Sequence, residues 1–539
     1  MSPTPHHLWQ FHGGLKLQSH KAMSTARPVA KTHLPAKLTL PVQQHIGDAA
    51  NLLVSVGDSV LKGQMLAEAS SDISAPIHAP TSGIITDIAE YPIPHPSGLK
   101  LICLVLQSDG NDTWCEHQAL ENPLSTPPEE LRQRVRQAGI VGLGGATFPT
   151  SVKLSTHAQE PIDTLILNGA ECEPYISCDD MLMREQAEAV ISGSQLIQYI
   201  VSARRCLIAV EDNKPEAIEA LQQAIKNSSS QAIEVIKIPT IYPTGGEKQL
   251  IKVLTQQEVP SNGLPSDIGI LVQNVATAVT IHQAINTGRP LISRIVTVTG
   301  EGVKQPQNMH VLLGTPISEL IMQCGGYHDA ASKLIMGGPM MGLALPTDQL
   351  PITKACNCIL VENNAAEAPA TLPCIRCGAC ASVCPAQLLP QQLFWHASSK
   401  NFDMVQDYHL FDCIECGCCS HVCPSQIPLV QYYRFAKTEI WNQERERIKS
   451  DHARIRHDFR QARLDREKKE REEKLRKKKE LLKKKKRAEE ANRTTADAEV
   501  DPKKAAIDAA LQRVQAKKAA NAAAEAVSGK EKSDEQAKQ

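Results

Sequence analysis

Cys374-Ile-Arg-Cys377-Gly-Ala-Cys380-Ala-Ser-Val-Cys384-Pro385 is followed by Cys413-Ile-Glu-Cys416-Gly-Cys-Cys419-Ser-His-Val-Cys423-Pro424. Both runs read C-x2-C-x2-C-x3-C-P. Three thiolates at this spacing wrap three corners of an iron–sulfur cube, and the fourth cysteine of each run ligates the other cube. The spacing therefore places Cys374, Cys377, Cys380 and Cys423 on one [4Fe–4S] cluster (cluster 1). Cys413, Cys416, Cys419 and Cys384 fall on a second (cluster 2). Cys418 is left out, because the repeat selects its neighbour Cys419. With 28 residues between Cys384 and Cys413, the expected unit is a helical two-cluster domain, longer than a compact bacterial ferredoxin. Leu388 to Phe402 and Pro428 to Trp441 read as its helices.

Other uses of these cysteines fit less well. Disulfide frameworks belong to small secreted domains. This chain has 539 residues, and its first 24 show no apolar run behind a basic start, so no signal peptide is expected. Zinc sites pair two short knuckles, whereas each run here offers four cysteines within eleven residues. The remaining cysteines of the 17, such as Cys103, Cys115 and Cys206, read as free thiols of a reducing cytoplasm. Cys356 and Cys358 form a C-x-C that is either structural or a further centre.

Length predicts three or four domains. A net charge of -1 implies no global polyelectrolyte role, and no apolar stretch is long enough to span a bilayer. From Leu34 to about Tyr91, short apolar runs alternate with turns at Gly47-Asp48, Gly57-Asp58, Lys62-Gly63 and Ser82-Gly83, which reads as all-β. From Pro127 to about Arg289, helical and strand-like runs alternate, as in an α/β domain. There Gly139-Ile-Val-Gly142-Leu-Gly144-Gly145-Ala146-Thr147-Phe148-Pro149 packs glycines that let backbone amides approach a phosphate or a flavin. It is neither a Walker loop nor a complete dinucleotide fingerprint. Asn168-Gly-Ala-Glu171-Cys-Glu173-Pro174, Tyr242-Pro-Thr-Gly-Gly-Glu247-Lys248 and Gln273-Asn274-Val-Ala-Thr277 each end an apolar run, where α/β sheets bind ligands.

Several family resemblances rest on these residues. The V-x-V-G-D-x-V-x-x-G-Q run at 54–64 resembles the lipoyl/biotinyl barrel-sandwich fold, which implies a barrel-sandwich hybrid. The hairpin Ser70 to Pro76 has no lysine to carry a swinging arm, so a docking or packing module is expected. The four α/β pieces resemble, in order, the flavin- and NADH-binding subunit of respiratory complex I. That resemblance implies an FMN site in which Gly142, Gly144, Ala146 and Lys153 hold phosphate and ring. Asn168 would bond the isoalloxazine, and Asn274 and Thr277 the ribityl-phosphate end. Glu171 and Glu173 would line the flavin and nicotinamide side, with Glu173 orienting the nicotinamide as the catalytic residue, and Glu247 would sit near the dinucleotide. The chain departs from the family pattern at Leu143, Ala170 and Lys248. Arg294 to Tyr327 resembles a soluble-ligand-binding (SLBB-like) β-grasp unit, with Pro316 opening its helix.

Beyond Trp441, Arg445 to Arg487 is dense in charge and reads as a solvated helix, and from Ala488 the composition suggests disorder or a weak helix. Lys474 to Arg487 holds ten basic residues and one acid, a run that could meet RNA or an anionic lipid surface, or simply stand in solvent. The expected division is a 1–33 extension, a 34–126 barrel-sandwich hybrid, a 127–290 FMN-type α/β domain, a 291–345 β-grasp unit, a 350–441 two-cluster domain and a 442–539 charged tail. The fold class is thus multidomain α/β with small β modules.

This order resembles the C-subunit family of the Rnf (Rsx) ion-translocating electron transport complex. The resemblance implies a peripheral subunit on the cytoplasmic face of a bacterial inner membrane. It would pass electrons between NADH, through FMN, and two [4Fe–4S] clusters, coupled by partner subunits to Na+ or H+ translocation. The implied partners are the membrane subunits, the iron–sulfur B-subunit and NADH, with no nucleic acid. Two alternatives remain at this point: a clusters-only electron carrier without NADH chemistry, and the diaphorase subunit of a soluble dehydrogenase or hydrogenase.

Overall fold

The computed structural model describes residues 7–95, 98–155, 161–228, 232–363, 370–493 and 506–518. The chain divides into two units, Met1–Asn442 and Gln443–Gln539.

The first β module consists of two small antiparallel sheets. One orders Lys37–Pro41, Lys100–Ser108, Gly83–Pro92 and Ser59–Val60; the other orders Asn51–Leu52, Met65–Glu68 and Ile77–His78. Alternation buries one face: Leu38 lies opposite Leu106 and Leu40 opposite Leu104, all fully buried with Leu66, Ile77 and Ile85. The loop at 69–76 is pinned rather than free. The buried Lys354 amine donates to Pro76 O (2.9 Å) and Gly139 O (2.7 Å), and Arg136 donates to Ser71 O (2.9 Å).

The α/β domain is built on four parallel strands in the order Ile233–Ile238, Arg205–Glu211, Thr164–Gly169, Ile270–Asn274. Their near-continuous apolar runs reflect burial on both faces. Helices Ala187–Val201 and Val275–Asn286 pack together, and Gly193 permits it: a Cβ there would stand 2.0 Å from Ala278 O. The register sets Asn168 beside Asn274 at the carboxyl ends of adjacent strands.

The next sheet has six strands, ordered Ala30–Lys31, Gln307–Leu312, Ser293–Thr299, Cys358–Asn363, Ala331–Met336 and Leu343–Leu345. It departs from the expected division twice. Residues 30–31 are not part of a separate extension but pair with the Gln307–Leu312 strand. Cys358–Asn363, expected in the cluster domain, lies inside this sheet, because Ile359, Leu360 and Val361 are buried between two partner strands. Cys356 and Cys358 are buried in the same region, where they pack as apolar groups. Pro316 is the N-cap of helix Ile317–Gln323 rather than its first residue.

The cluster domain repeats itself. Helices Ala379–Ser382 and Cys418–His421 follow Gly378 (φ 79°) and Gly417 (φ 80°), and Arg376 and Glu415 both sit at φ 57°. Left-handed residues at matched places bend both cysteine runs alike. Leu393, Ala397, Val405, Leu410, Tyr433 and Ala436 form the apolar core beneath.

Helix Leu429–Arg493 starts in the first unit, and in the second unit residues 443–493 and 506–518 are helical. From Gln443 its described side chains are almost all exposed, laced by i,i+3 pairs such as Arg447–Glu444 and Lys449–Glu446. The rest of the region expected to be disordered, 494–505 and 519–539, lies outside the described residues. Among the described residues no helix is long and apolar enough to cross a membrane.

Candidate flavin and iron–sulfur sites

Two cavities collect the cysteines of the cluster domain. Cys374, Cys377, Cys380 and Cys423 line one, with Ile375, Phe394 and Ile427 around them. Cys384, Cys413, Cys416 and Cys419 line the other, beside Leu388, Leu393 and Tyr433. Each therefore draws three thiols from one run and the fourth from the other. Four sulfurs in an apolar shell suit a cubane cluster. Cys418 also reaches the second cavity and is fully buried there.

At the carboxyl edge of the parallel sheet, the four segments singled out from the sequence converge. Leu143 N–H donates to Thr277 Oγ1 (3.0 Å), and a Cβ at Gly144 would stand 3.3 Å from Asn274 Cβ. Asn168 Nδ2 donates to Gly245 O (2.9 Å). The Asn274 side chain caps its helix by accepting from Ala276 N–H (2.8 Å) and donates to Asp179 Oδ2 (2.6 Å). At the exposed tip of the glycine loop, Gly144, Gly145 and Ala146 have N–H groups with no acceptor among the described residues, and Gly145 (φ 116°) faces open space. Three successive free amides on an exposed turn are the kind of donor set that suits an anion such as a phosphate. Among the described residues, two buried polar atoms of this sheet lack partners, Glu211 Oε1 and Gln273 Nε2. This chemistry fits a phosphate-bearing flavin.

Other candidate side chains have protein partners. Lys153 Nζ donates to Glu247 Oε1 (2.7 Å) and Val272 O (3.2 Å), tying the two expected ligand groups to each other. Glu171 accepts from the N–H groups of Asp179 (2.9 Å) and Asp180 (3.3 Å) at the start of helix Cys178–Glu185. Glu173 Oε1 accepts from Met340 N–H (2.9 Å) and Met341 N–H (2.8 Å) in the β-grasp unit, and burial pushes its carboxyl pKa up.

Several groups here were not singled out from the sequence. Burial, then the neighbouring Glu171 carboxylate, raise Asp179 to about 7. Glu211 and Lys214 form a fully buried ion pair at the end of the Arg205–Glu211 strand. Arg294, buried, donates to Leu143 O (3.1 Å) and so holds the glycine loop from below. Their only local signals are charges in or beside apolar runs. Tyr242, the first residue of its segment, carried no role there, yet it donates from Oη to Cys416 O (2.5 Å).

Fold and sites together define a protein of the flavin and iron–sulfur class. Residues 9–111 match the RnfC barrel sandwich hybrid domain, 135–283 the Nuo51 FMN-binding domain, 295–344 the SLBB domain and 373–427 the 4Fe-4S dicluster domain. Its cofactors are accordingly FMN and two [4Fe–4S] clusters. The C-subunit of the ion-translocating oxidoreductase complex of Pasteurella multocida is 46% identical over 449 residues, covering 83% of this chain and 53% of that protein. Its counterpart in Haemophilus influenzae (strain PittEE) is 45% identical, covering 83% and 68%. The chain belongs to this C-subunit family. It spans about half the length of the Pasteurella relative. A chain of an NAD+-reducing [NiFe]-hydrogenase superposes at TM-score 0.41 with 19% identity, over 54% of this chain and 57% of that one; a likeness so loose carries no argument.

Proposed function

We propose that this chain is the peripheral electron-transfer subunit of an ion-translocating oxidoreductase complex. It passes electrons between NADH, through FMN, and two clusters, while partner subunits couple the flow to Na+ or H+ translocation. One observation carries the reading: the flavin-type sheet and the second cysteine cavity share contacts. Tyr242, from the Tyr242–Lys248 segment, bonds the Cys416 carbonyl. Glu173, from the Asn168–Pro174 segment, holds Met340, whose carbonyl lies against Gly417. Both segments thus reach the Cys413–Cys419 loop.

FMN, when bound, supplies the exchange between electron pairs and single electrons that a nicotinamide and a cluster require. The chain's own residues do the rest. The free amides of Gly144 to Ala146 would hold the phosphate, with Gly142 shaping the loop and Lys153 adding a cation. Asn168, Asn274 and Thr277 set the floor. Glu171 fixes the helix beneath, and Glu173, with its Oε2, faces the nicotinamide side, with Glu247 at the dinucleotide. Cluster 2 would be held by Cys384, Cys413, Cys416 and Cys419, the quartet whose loop the flavin-type segments reach. Cluster 1 would be held by Cys374, Cys377, Cys380 and Cys423; Cys377 is exposed, which suits electron exchange with a partner that we take to be the iron–sulfur B-subunit.

In this account the chain sits on the cytoplasmic side of the inner membrane, held by the membrane subunits, and the 34–126 and 127–290 divisions work together with a β-grasp unit that takes in residues 30–31 and 358–363. The clusters-only alternative draws on the commitment of Lys153 to Glu247 and of Glu171 to its helix. Absorbance and iron analysis of anaerobically purified chain decide between them. About one flavin and about eight iron atoms per chain are expected; full iron with no flavin, even after reconstitution, would favour the carrier.

A further inference from the structure

Residues 9–17 run between the parallel sheet and the cluster domain. Trp9 N–H donates to Val253 O (2.9 Å), and Leu8 and Phe11 pack on that side of the sheet. Three residues on, His12 Nδ1 donates to the carbonyl of Cys384 (2.9 Å), and Gly14 N–H donates to Val383 O (3.1 Å). Leu15 then exchanges both backbone hydrogen bonds with Tyr242 (2.7 and 2.8 Å). Two glycines make the passage possible. A Cβ at Gly13 (φ 71°) would stand 2.5 Å from the Val383 carbonyl, and one at Gly14 (φ 82°) 2.8 Å from Tyr242 O.

Tyr242 is 3% exposed and packs with Cys416 and Cys418. Two of the four cysteines around the second cavity therefore have their carbonyls bonded from outside the cluster domain: Cys384 by His12 and Cys416 by Tyr242. Among the described residues, no cysteine of the first cavity has such a bond. Donors aimed at the peptide of a ligating cysteine oppose the negative charge that a cluster gains on reduction, and outer partners of this kind tune the potential.

We propose that residues 9–17 are a strap seating cluster 2 against the flavin-type sheet, with Tyr242 and His12 as positioning residues that hold the cluster-2 reduction potential up. The inference rests on the assignment of Cys384, Cys413, Cys416 and Cys419 to that cluster.

The test is an EPR-monitored redox titration of the full, cluster-loaded chain. Tyr242→Phe keeps the ring and removes the donor. The cluster-2 midpoint should move negative by about a tenfold change in its reduction equilibrium, about 59 mV for one electron, with cluster 1 unmoved. His12→Ala should shift it the same way by less. Gly13→Ala, which forces the strap off Val383, gives a second route to the same shift if Tyr242→Phe folds poorly. Tyr199→Phe loses a comparable bond, to Thr126 O (3.1 Å), far from the cysteines and should move neither potential. Unmoved potentials in these strap variants, or equal shifts of both clusters, would overturn the strap. Iron analysis of the same samples separates the two claims. About four iron atoms per wild-type chain would sink the ligand assignment, whereas about eight with unmoved potentials would sink the strap alone.

Discussion

Asp179 offers a sharp test of the electrostatics beneath the glycine loop. Its carboxyl sits beside the Glu171 carboxylate, accepts from Asn274 and feels Arg294 and Lys214 at longer range; burial dominates and lifts its pKa from 3.8 to about 7. In the unfolded chain it ionises near its ordinary value. The folded state therefore keeps a proton that the unfolded state has released between those limits. Stability from the protonated form is fully present below pH 3.8 and is lost as pH rises through about 7. The shift is roughly three units at 1.36 kcal/mol each, a ceiling of about 4 kcal/mol. Because the residue keeps partial solvent contact, about half of that is the better figure. Asp179→Asn mimics the neutral side chain and still offers Asn274 an acceptor. Its melting temperature minus that of the wild type should therefore rise from pH 5 to pH 8, through a relative gain of about 1–2 kcal/mol. A difference that stays flat with pH, or falls, would refute the reasoning.

Three further substitutions bear on the sites. Cys377→Ser and Cys416→Ser should each lower iron to about four atoms per chain while Cys418→Ser keeps about eight; an unchanged count in the first two would break the ligand assignment. Lys153→Ala removes a cation from the glycine-loop side and leaves Glu247 unpaired, so FMN recovered after gel filtration should fall severalfold. Glu173→Gln keeps an oxygen for Met340 and Met341 but loses the charge, so bound FMN should stay while NADH-driven reduction slows; full NADH activity would remove Glu173 from the catalytic set.

What could be read from the sequence was local. Thiolate spacing is a property of a dozen consecutive residues, so the quartets of Cys374 and Cys413 could be grouped before any fold was known. The glycine loop and the strand-end segments were legible for the same reason. Contacts that join distant segments were not. Glu247 meets Lys153 across 94 positions, Met340 meets Glu173 across 167, and Cys416 meets Tyr242 across 174. None of these pairs leaves a local pattern. Glu171 looked like a ligand-facing acid because nothing in its own segment announces that helix Cys178–Glu185 starts against it. The Cys358–Asn363 strand was assigned to the wrong neighbour because its apolar run is compatible with any buried sheet, and its cysteine drew attention toward the clusters. His12 and Gly13-Gly14 lie in a stretch with no periodicity, and only the fold reveals that they touch Cys384 and Val383.

The central claim is that electrons pass between a nicotinamide and two clusters within this one chain. Its most direct test is anaerobic addition of NADH to the flavin- and cluster-loaded protein, followed by EPR of rapidly frozen samples. Signals from reduced cluster 2 and then cluster 1 should appear, and both should vanish from flavin-stripped protein and return with added FMN. Clusters that dithionite reduces but NADH leaves oxidised, with flavin bound, would contradict it.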